Sequence, residues 1–247
     1  MTPSPILKVL LTFKKHKVKS LLIGGQACII YGAAEFSRDS DFMILCESQN
    51  LEHLKKALKK LKTETIYFPE LKEEYLNRGH ACHFRCHRNG AEGLRVDIIS
   101  KLKGCDEFDQ LWSRRMKVKL KNGQTIDVIG IKDLVQCKKT QRDKDWFMLR
   151  RLVEADYLQN KNKITANKIR WWLLESRTPE HLRELIKKFP ALADECRKQR
   201  PLLGVVMEDD PSKLEFMLHE EEMRERLKDQ EYWAPLKKEL ESLRHQR

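Results

Sequence analysis

Leu21-Leu-Ile-Gly-Gly-Gln-Ala-Cys-Ile-Ile-Tyr-Gly-Ala-Ala-Glu-Phe-Ser-Arg-Asp-Ser-Asp-Phe-Met-Ile-Leu45 is the stretch from which the rest of the chain is read. An apolar run ends at Gly24-Gly25, a short helix-like segment follows, and Arg38-Asp39-Ser40-Asp41 leads into a second apolar run, Phe42 to Leu45. Side chains alternate faces along a strand, so Asp39 and Asp41 share one face if they lie on it. Two carboxylates beside a glycine turn have the donors of a metal-and-nucleotide site. Gly24 and Gly25 let the backbone come close to phosphates, and the N-terminus of a following helix favours anionic oxygens.

The chain has 247 residues, room for one large domain or two modest ones. Its 40% apolar content allows a core, and its 35% charged content describes a well-solvated surface. No apolar run approaches the ~20 residues that span a bilayer. Met1-Thr-Pro-Ser-Pro5 lacks the basic and apolar regions of a secretory signal. Seven scattered cysteines then suit reduced thiols, and a cytoplasmic location is expected. The net charge is +12, and it is uneven. Residues 1–145 carry 28 Lys/Arg against 18 Asp/Glu, a balance of +10, whereas residues 146–247 carry 21 against 19. The excess would concentrate polyanions such as a nucleoside triphosphate or RNA around the glycine–aspartate stretch, although a solvated basic helix face such as Lys55 to Lys62 gives the same count.

Period and turn signals predict helix over Ile6–Lys15, strand over Val18–Ile23, a short helix over Gln26–Tyr31, strand over Asp39–Leu45 and a Ser48-capped helix over Leu51–Leu61. A strand at Thr63–Phe68 and a weak helix at Leu71–Asn77 follow. His80–His87 and Leu94–Ser100 read as paired strands, and Val118–Leu120 with Thr125–Ile129 as a hairpin around Asn122-Gly123. Beyond Lys132 the pattern is helical: Lys132–Thr140, Asp145–Gln159, Ala166–Ser176, Glu180–Phe189, and a charged stretch from Ser212 whose Pro235 interrupts a long coiled coil. Strands with helices come first and helices alone after, which implies two domains or one domain with a helical appendage.

Asp97 stands between Val96 and Ile98 in an otherwise apolar strand, where a lone carboxylate needs a reason. It faces solvent, or pairs with Arg95, or joins Asp39 and Asp41 as a third hard oxygen ligand of the kind that bridges two cations in phosphoryl chemistry. Arg38 can contact phosphate or neutralise the aspartates. Lys138, Arg142 and Lys144, ahead of and within Asp143-Lys144-Asp145-Trp146, are cations able to hold phosphates; as pattern alone they also suit a helix with ion pairs at three- and four-residue spacing.

The ordered set Gly24-Gly25, Asp39-x-Asp41, Asp97 and Lys138…Lys144-Asp145 resembles the polymerase-β-type nucleotidyltransferase superfamily, over roughly residues 18–150. More narrowly it is similar to the bacterial branch that includes AbiE-type toxins of toxin–antitoxin systems and uncharacterised nucleotidyltransferases. The resemblance implies an α+β fold: a mixed β-sheet with flanking helices over residues 1–131, the catalytic domain, followed by a helical domain, 132–247. It implies that Asp39, Asp41 and Asp97 bind two Mg²⁺ ions, and that Gly24, Gly25, Arg38, Lys138, Lys144 and Asp145 serve the nucleotide. It further implies that an NTP donates its nucleotidyl group to an acceptor hydroxyl, of tRNA or another RNA by preference, with an antitoxin protein as a partner. Many superfamily members carry Gly-Ser where this chain has Gly24-Gly25; Gly-Gly occurs in the AbiE-like branch. The alternatives are transfer to a small antibiotic-type molecule and a catalytically silent, partner-regulated nucleotide-binding module.

Two other clusters draw the eye. His80-Ala-Cys-His-Phe-Arg-Cys-His87 contains metal-capable residues, but zinc ligands usually come as separated pairs, and the segment is read as the strand that delivers Asp97. Trp171-Trp172, with Lys168 and Arg170, could stack a base; a helix core with one exposed ring is the simpler reading.

Overall fold

The computed structural model describes residues 5–120, 123–205 and 211–245. The turn residue Asn122 lies outside the described residues. The chain divides into two compact units, one built from residues 1–30, 34–137 and 232–247, the other from 31–33 and 138–231.

The first unit is a seven-stranded mixed sheet with helices. In chain order it contains α1 (Pro5–Lys15), β1 (Ser20–Ile23), α2 (Gly24–Ile30), β2 (Asp39–Ile44), α3 (Ser48–Lys60), β3 (Thr63–Tyr67), α4 (Glu73–Arg78), β4 (Cys82–Cys86), β5 (Arg95–Ile99), α5 (Phe108–Ser113), β6 (Met116–Lys119), β7 (Thr125–Val128) and α6 (Ile131–Cys137). The strand order is β3-β4-β5-β2-β1-β7-β6. β2 runs antiparallel to β1 and parallel to β5, and β1 runs parallel to β7. The α+β class expected from the sequence is what the structure shows.

Alternation decides which face of the central strands is dry. On β2, Ser40, Phe42 and Ile44 are buried, and on β5 so are Val96 and Ile98. Phe13 of α1 meets Phe42 with ring centroids 4.8 Å apart, and α1 packs on α3, whose Leu51, Leu54 and Leu58 are buried at helical spacing. The opposite face of the same strands carries Asp39, Asp41, Arg95 and Asp97. The sheet therefore holds the carboxylates with a core that does not include them.

The second unit is helical: α7 (Asp143–Asn160), α8 (Ala166–Glu175), α9 (Pro179–Lys188), α10 (Pro190–Arg197), α11 (Leu202–Val205) and the first part of α12 (Pro211–His245). Trp172 is fully buried, donates from Nε1 to Asp156 at 2.8 Å, and meets Tyr157 edge-on. That satisfies the indole N–H, as a buried tryptophan requires.

Several local expectations change. Ser48 is the first residue of α3 rather than its cap, and its hydroxyl donates to Glu73 at 3.1 Å. The helix expected over 132–140 stops at Cys137. Pro190 starts α10, where its missing N–H is harmless, and Pro235 lies inside α12 without ending it. Helices α5, α10 and α11 were not anticipated. No helix among the described residues is long and apolar enough to cross a membrane.

Candidate active site

Strand register brings the three aspartates together. Asp41 pairs with Ile23 of β1 on one side and with Asp97 of β5 on the other, and Asp39 pairs with Arg95. Residues in register on neighbouring strands share a face, so Asp39, Asp41, Arg95 and Asp97 form one square of charge. Like charges directly opposite each other are unfavourable in a sheet. Asp41 against Asp97 is such a pair, and both positions sit in apolar strands that offer no packing reason for them.

Gly24 supplies the adjoining edge. It leaves β1 with φ of +65°, a backbone that L side chains rarely adopt, and it starts α2. A Cβ placed there would stand 1.9 Å from Asp41 Oδ2, 2.6 Å from its Cγ and 2.8 Å from its Cβ. The Asp41 side chain thus occupies the space that any other residue at 24 would fill. At Gly25 a Cβ would meet Ser37 Oγ at 2.5 Å. The loop before β2 is tied back here, with Gln26 Nε2 donating to the Ser37 carbonyl at 3.0 Å. Arg38 is exposed, one residue before β2.

Asp97 is held by two neighbours. His83, its register partner on β4, places Nδ1 2.9 Å from Asp97 Oδ1, and Arg95 donates from Nε to the same oxygen at 2.8 Å. Burial works to raise the Asp97 pKa, but the hydrogen bonds from His83 and Arg95 and their charge outweigh it, and the carboxyl is held below its ordinary value. Tyr67, at the end of β3, lies edge-on to His83 with centroids 5.7 Å apart and carries the Arg95 guanidinium 5.5 Å above its ring. His83 and Tyr67 are residues of this site that sequence reasoning missed. In sequence His83 stands among cysteines, but these point into the core: Cys82 and Cys86 are fully buried, and burial pushes their thiols up to about 12 and about 11.

The donor chemistry of the square fits a hard divalent cation: three carboxylates and no sulfur. The side chains as folded do not close a three-ligand cluster, since no group of three or more His, Cys, Asp or Glu among the described residues is set to hold a metal. Asp97 Oδ1 faces His83 and Arg95 instead.

The remaining expected residues belong to the second unit. Lys138 and Asp145 form a buried ion pair, Nζ to Oδ1 at 2.8 Å, and Asp145 has no exposed surface. Thr140 donates to its other oxygen at 2.7 Å, and Arg142 Nε reaches that oxygen at 2.8 Å. Burial opposes the charge of Asp145, but Lys138, Arg142 and Thr140 prevail and keep it ionised to lower pH. These bonds fasten the loop between α6 and α7, and Trp146 Nε1 closes it on the Thr140 carbonyl at 2.8 Å. Lys144 is exposed.

No family model matches the chain, and no curated protein matches it. Among solved structures, the chain is similar to the lincosamide antibiotic adenylyltransferase LnuA with lincomycin bound. That alignment has 16% identity and TM-score 0.42, and it covers 62% of this chain and 96% of that one. A candidate nucleotidyltransferase from H. pylori aligns with 14% identity and TM-score 0.42, over 87% of this chain and 94% of that one.

Proposed function

We propose that the chain is a nucleotidyltransferase with a catalytic domain over residues 1–131 and a helical region from 132 onward, whose last residues, 232–247, belong to the sheet unit; in it an acceptor hydroxyl attacks the α-phosphate of an NTP in line and pyrophosphate leaves. The observation that carries this reading is the register of Asp39, Asp41 and Asp97 on one sheet face, against a left-handed Gly24. Asp39, Asp41 and, once turned from Arg95, Asp97 would hold Mg²⁺, two ions by the family resemblance. Bound there, the metal would neutralise the triphosphate and polarise the reacting phosphate.

The chain's own residues do the rest. Gly24 and Gly25 leave room for the triphosphate beside α2, and Arg38 adds an exposed cation at the entry to β2. Asp97, held ionised, accepts the proton of the attacking hydroxyl. His83 orients it, and Arg95 on the same sheet face carries compensating charge. The acceptor in this reading is tRNA or another RNA, supported by the net charge of +12 and its concentration in residues 1–145. A toxin restrained by an antitoxin protein completes the proposal.

The test is incubation of wild-type chain and the Asp39→Ala/Asp41→Ala variant with each labelled NTP, Mg²⁺ and total RNA. Wild-type labels an RNA species and the variant labels none. Undiminished labelling by the variant refutes the assignment.

A further inference from the structure

A cavity of about 370 Å³ opens in the first unit between the end of β3 and the last turns of α12. Tyr67 and Phe68 form one wall. Trp233, Lys237 and Arg244, spaced at four and seven residues along one face of α12, form the other. His83 lines it too. The cavity and Asp97 therefore share His83, which lines the cavity while its Nδ1 holds Asp97, and Tyr67 of the cavity wall touches both His83 and Arg95.

The α12 wall is fastened. Gly79 has φ of +100°, and a Cβ there would lie 3.6 Å from Leu236 of α12. On either side of it, Arg78 Nη1 and His80 Nε2 reach the two oxygens of Glu239 at 2.5 and 3.0 Å. Glu239 is thereby occupied, while Lys237 and Arg244 are exposed and enter no ion pair among the described residues. Three aromatic side chains with two uncommitted cations at the rim make a stacking platform with a phosphate anchor. A polycationic acceptor would be repelled, and an uncharged planar one would make no use of the cations.

We infer that this cavity receives the terminal nucleotide of a single-stranded nucleic acid, its base against Tyr67, Phe68 and Trp233, its phosphate on Lys237 and Arg244, and its terminal hydroxyl toward Asp97. This rests on the transfer reading above and names the part of the chain that selects the acceptor. Stacking of this kind tolerates any base, so discrimination among RNA sequences is not expected here.

The experiment is fluorescence anisotropy of the full chain with a short, 5′-labelled single-stranded RNA bearing a free 3′ hydroxyl, in EDTA so that no transfer occurs. Trp233→Leu weakens binding by about 5- to 150-fold, the range that loss of one stacked base gives. Lys237→Ala and Arg244→Ala each lower the slope of log affinity against log salt by roughly one. Lys55→Ala on α3, the exposed control, leaves a pocket-bound RNA unaffected. Equal losses at Lys55 and the pocket cations, or unchanged affinity in folded pocket variants, overturn the inference. For any variant that does not fold, wild-type chain is photocrosslinked to RNA ending in 4-thiouridine; adducts on Tyr67, Phe68 or Trp233 support the pocket, and adducts confined elsewhere overturn it. The two readings fail separately. Pocket adducts without any nucleotidyl transfer refute the reaction, and RNA labelling with silent pocket variants refutes the pocket.

Discussion

Gly24→Ala tests how closely the β1–α2 turn and the Asp41 carboxylate depend on each other. Two costs add. A residue with a Cβ in the left-handed region loses about 1–2 kcal/mol. The new methyl also overlaps Asp41, and a change of rotamer cannot clear it: Oδ2 at 1.9 Å and Cγ at 2.6 Å can swing away, but the Asp41 Cβ at 2.8 Å is fixed to β2. Backbone must move, at a cost of about 1–3 kcal/mol as for other overpacked sites, which brings the total to about 2–5 kcal/mol. Gly25→Ala lacks the first cost, and its clash is with Ser37 in a loop, so it falls at the lower end of about 1–3 kcal/mol. Urea midpoints at unchanged m-value read these differences. The sharper measurement repeats Gly24→Ala in an Asp41→Gly background, where all three overlapping atoms are gone. Only the backbone cost should then remain, leaving a coupling energy of about 1–3 kcal/mol. Additive single and double variants would show that Asp41 does not fill the space beside Gly24, and the geometry claimed for the site would fall with it. In the transfer assay, displacing the carboxylate by an ångström lowers the rate by about 100-fold.

Asp145→Ala strands the buried Lys138 ammonium and destabilises the chain by about 3–5 kcal/mol, whereas Lys144→Ala changes the unfolding free energy read from urea titration by less than about 0.5 kcal/mol. Asp145 and Glu221 are both held below their ordinary pKa, burial opposing the charge and Lys138 or Arg200 overcoming it. Their folded pKa values lie below the unfolded ones, so the stability they add is complete above about pH 5 and drains away as pH falls through the folded values; urea midpoints measured from pH 6 downward should decline, and less steeply in Asp145→Asn. Induced expression of the wild-type chain arrests growth and Asp41→Ala does not, if the toxin proposal holds; equal growth of the two strains rejects it.

What the sequence disclosed follows from the range of each interaction. Asp39 and Asp41 are two residues apart, so one period places them on a common face, and Asp97 betrays itself by standing among Val96, Ile98 and Ile99. The parallel pairing that sets Asp41 opposite Asp97 spans 56 residues of chain and has no local signature. The same holds for His83 and Asp97, which meet across β4 and β5. Lys138 and Asp145 eluded helical arithmetic for another reason. Their segment is a loop folded back on the start of α7, so a pair seven residues apart comes within 2.8 Å. The end of α12 was readable in principle. Trp233, Leu236, Lys237, Leu240 and Arg244 keep one helical face, but the density of charge around them and Pro235 concealed the stripe.

Charge compensation across the sheet face orders the site. Three carboxylates on adjacent strands would be costly in one patch without cations beside them. Asp97 is met by Arg95 and His83 at hydrogen-bond distance, and Arg95 also lies opposite Asp39 in register. One guanidinium and one imidazole thus lie at hydrogen-bond distance from Asp97. Asp39 and Asp41 lie on the side of the glycine turn rather than of β4. A divalent ion with a triphosphate would occupy that side, while the aromatic cavity lies beyond His83 on the other. Asp97 stands between them, the position required of a group that takes a proton from an acceptor as the nucleotide's α-phosphate is attacked. Arg95→Ala should therefore affect the two sides differently: it removes the cation that holds Asp97 away from the metal side, so Mg²⁺-dependent NTP binding tightens or is retained while transfer falls. Equal loss of NTP binding and transfer would place Arg95 on the nucleotide and dismiss this division of the site.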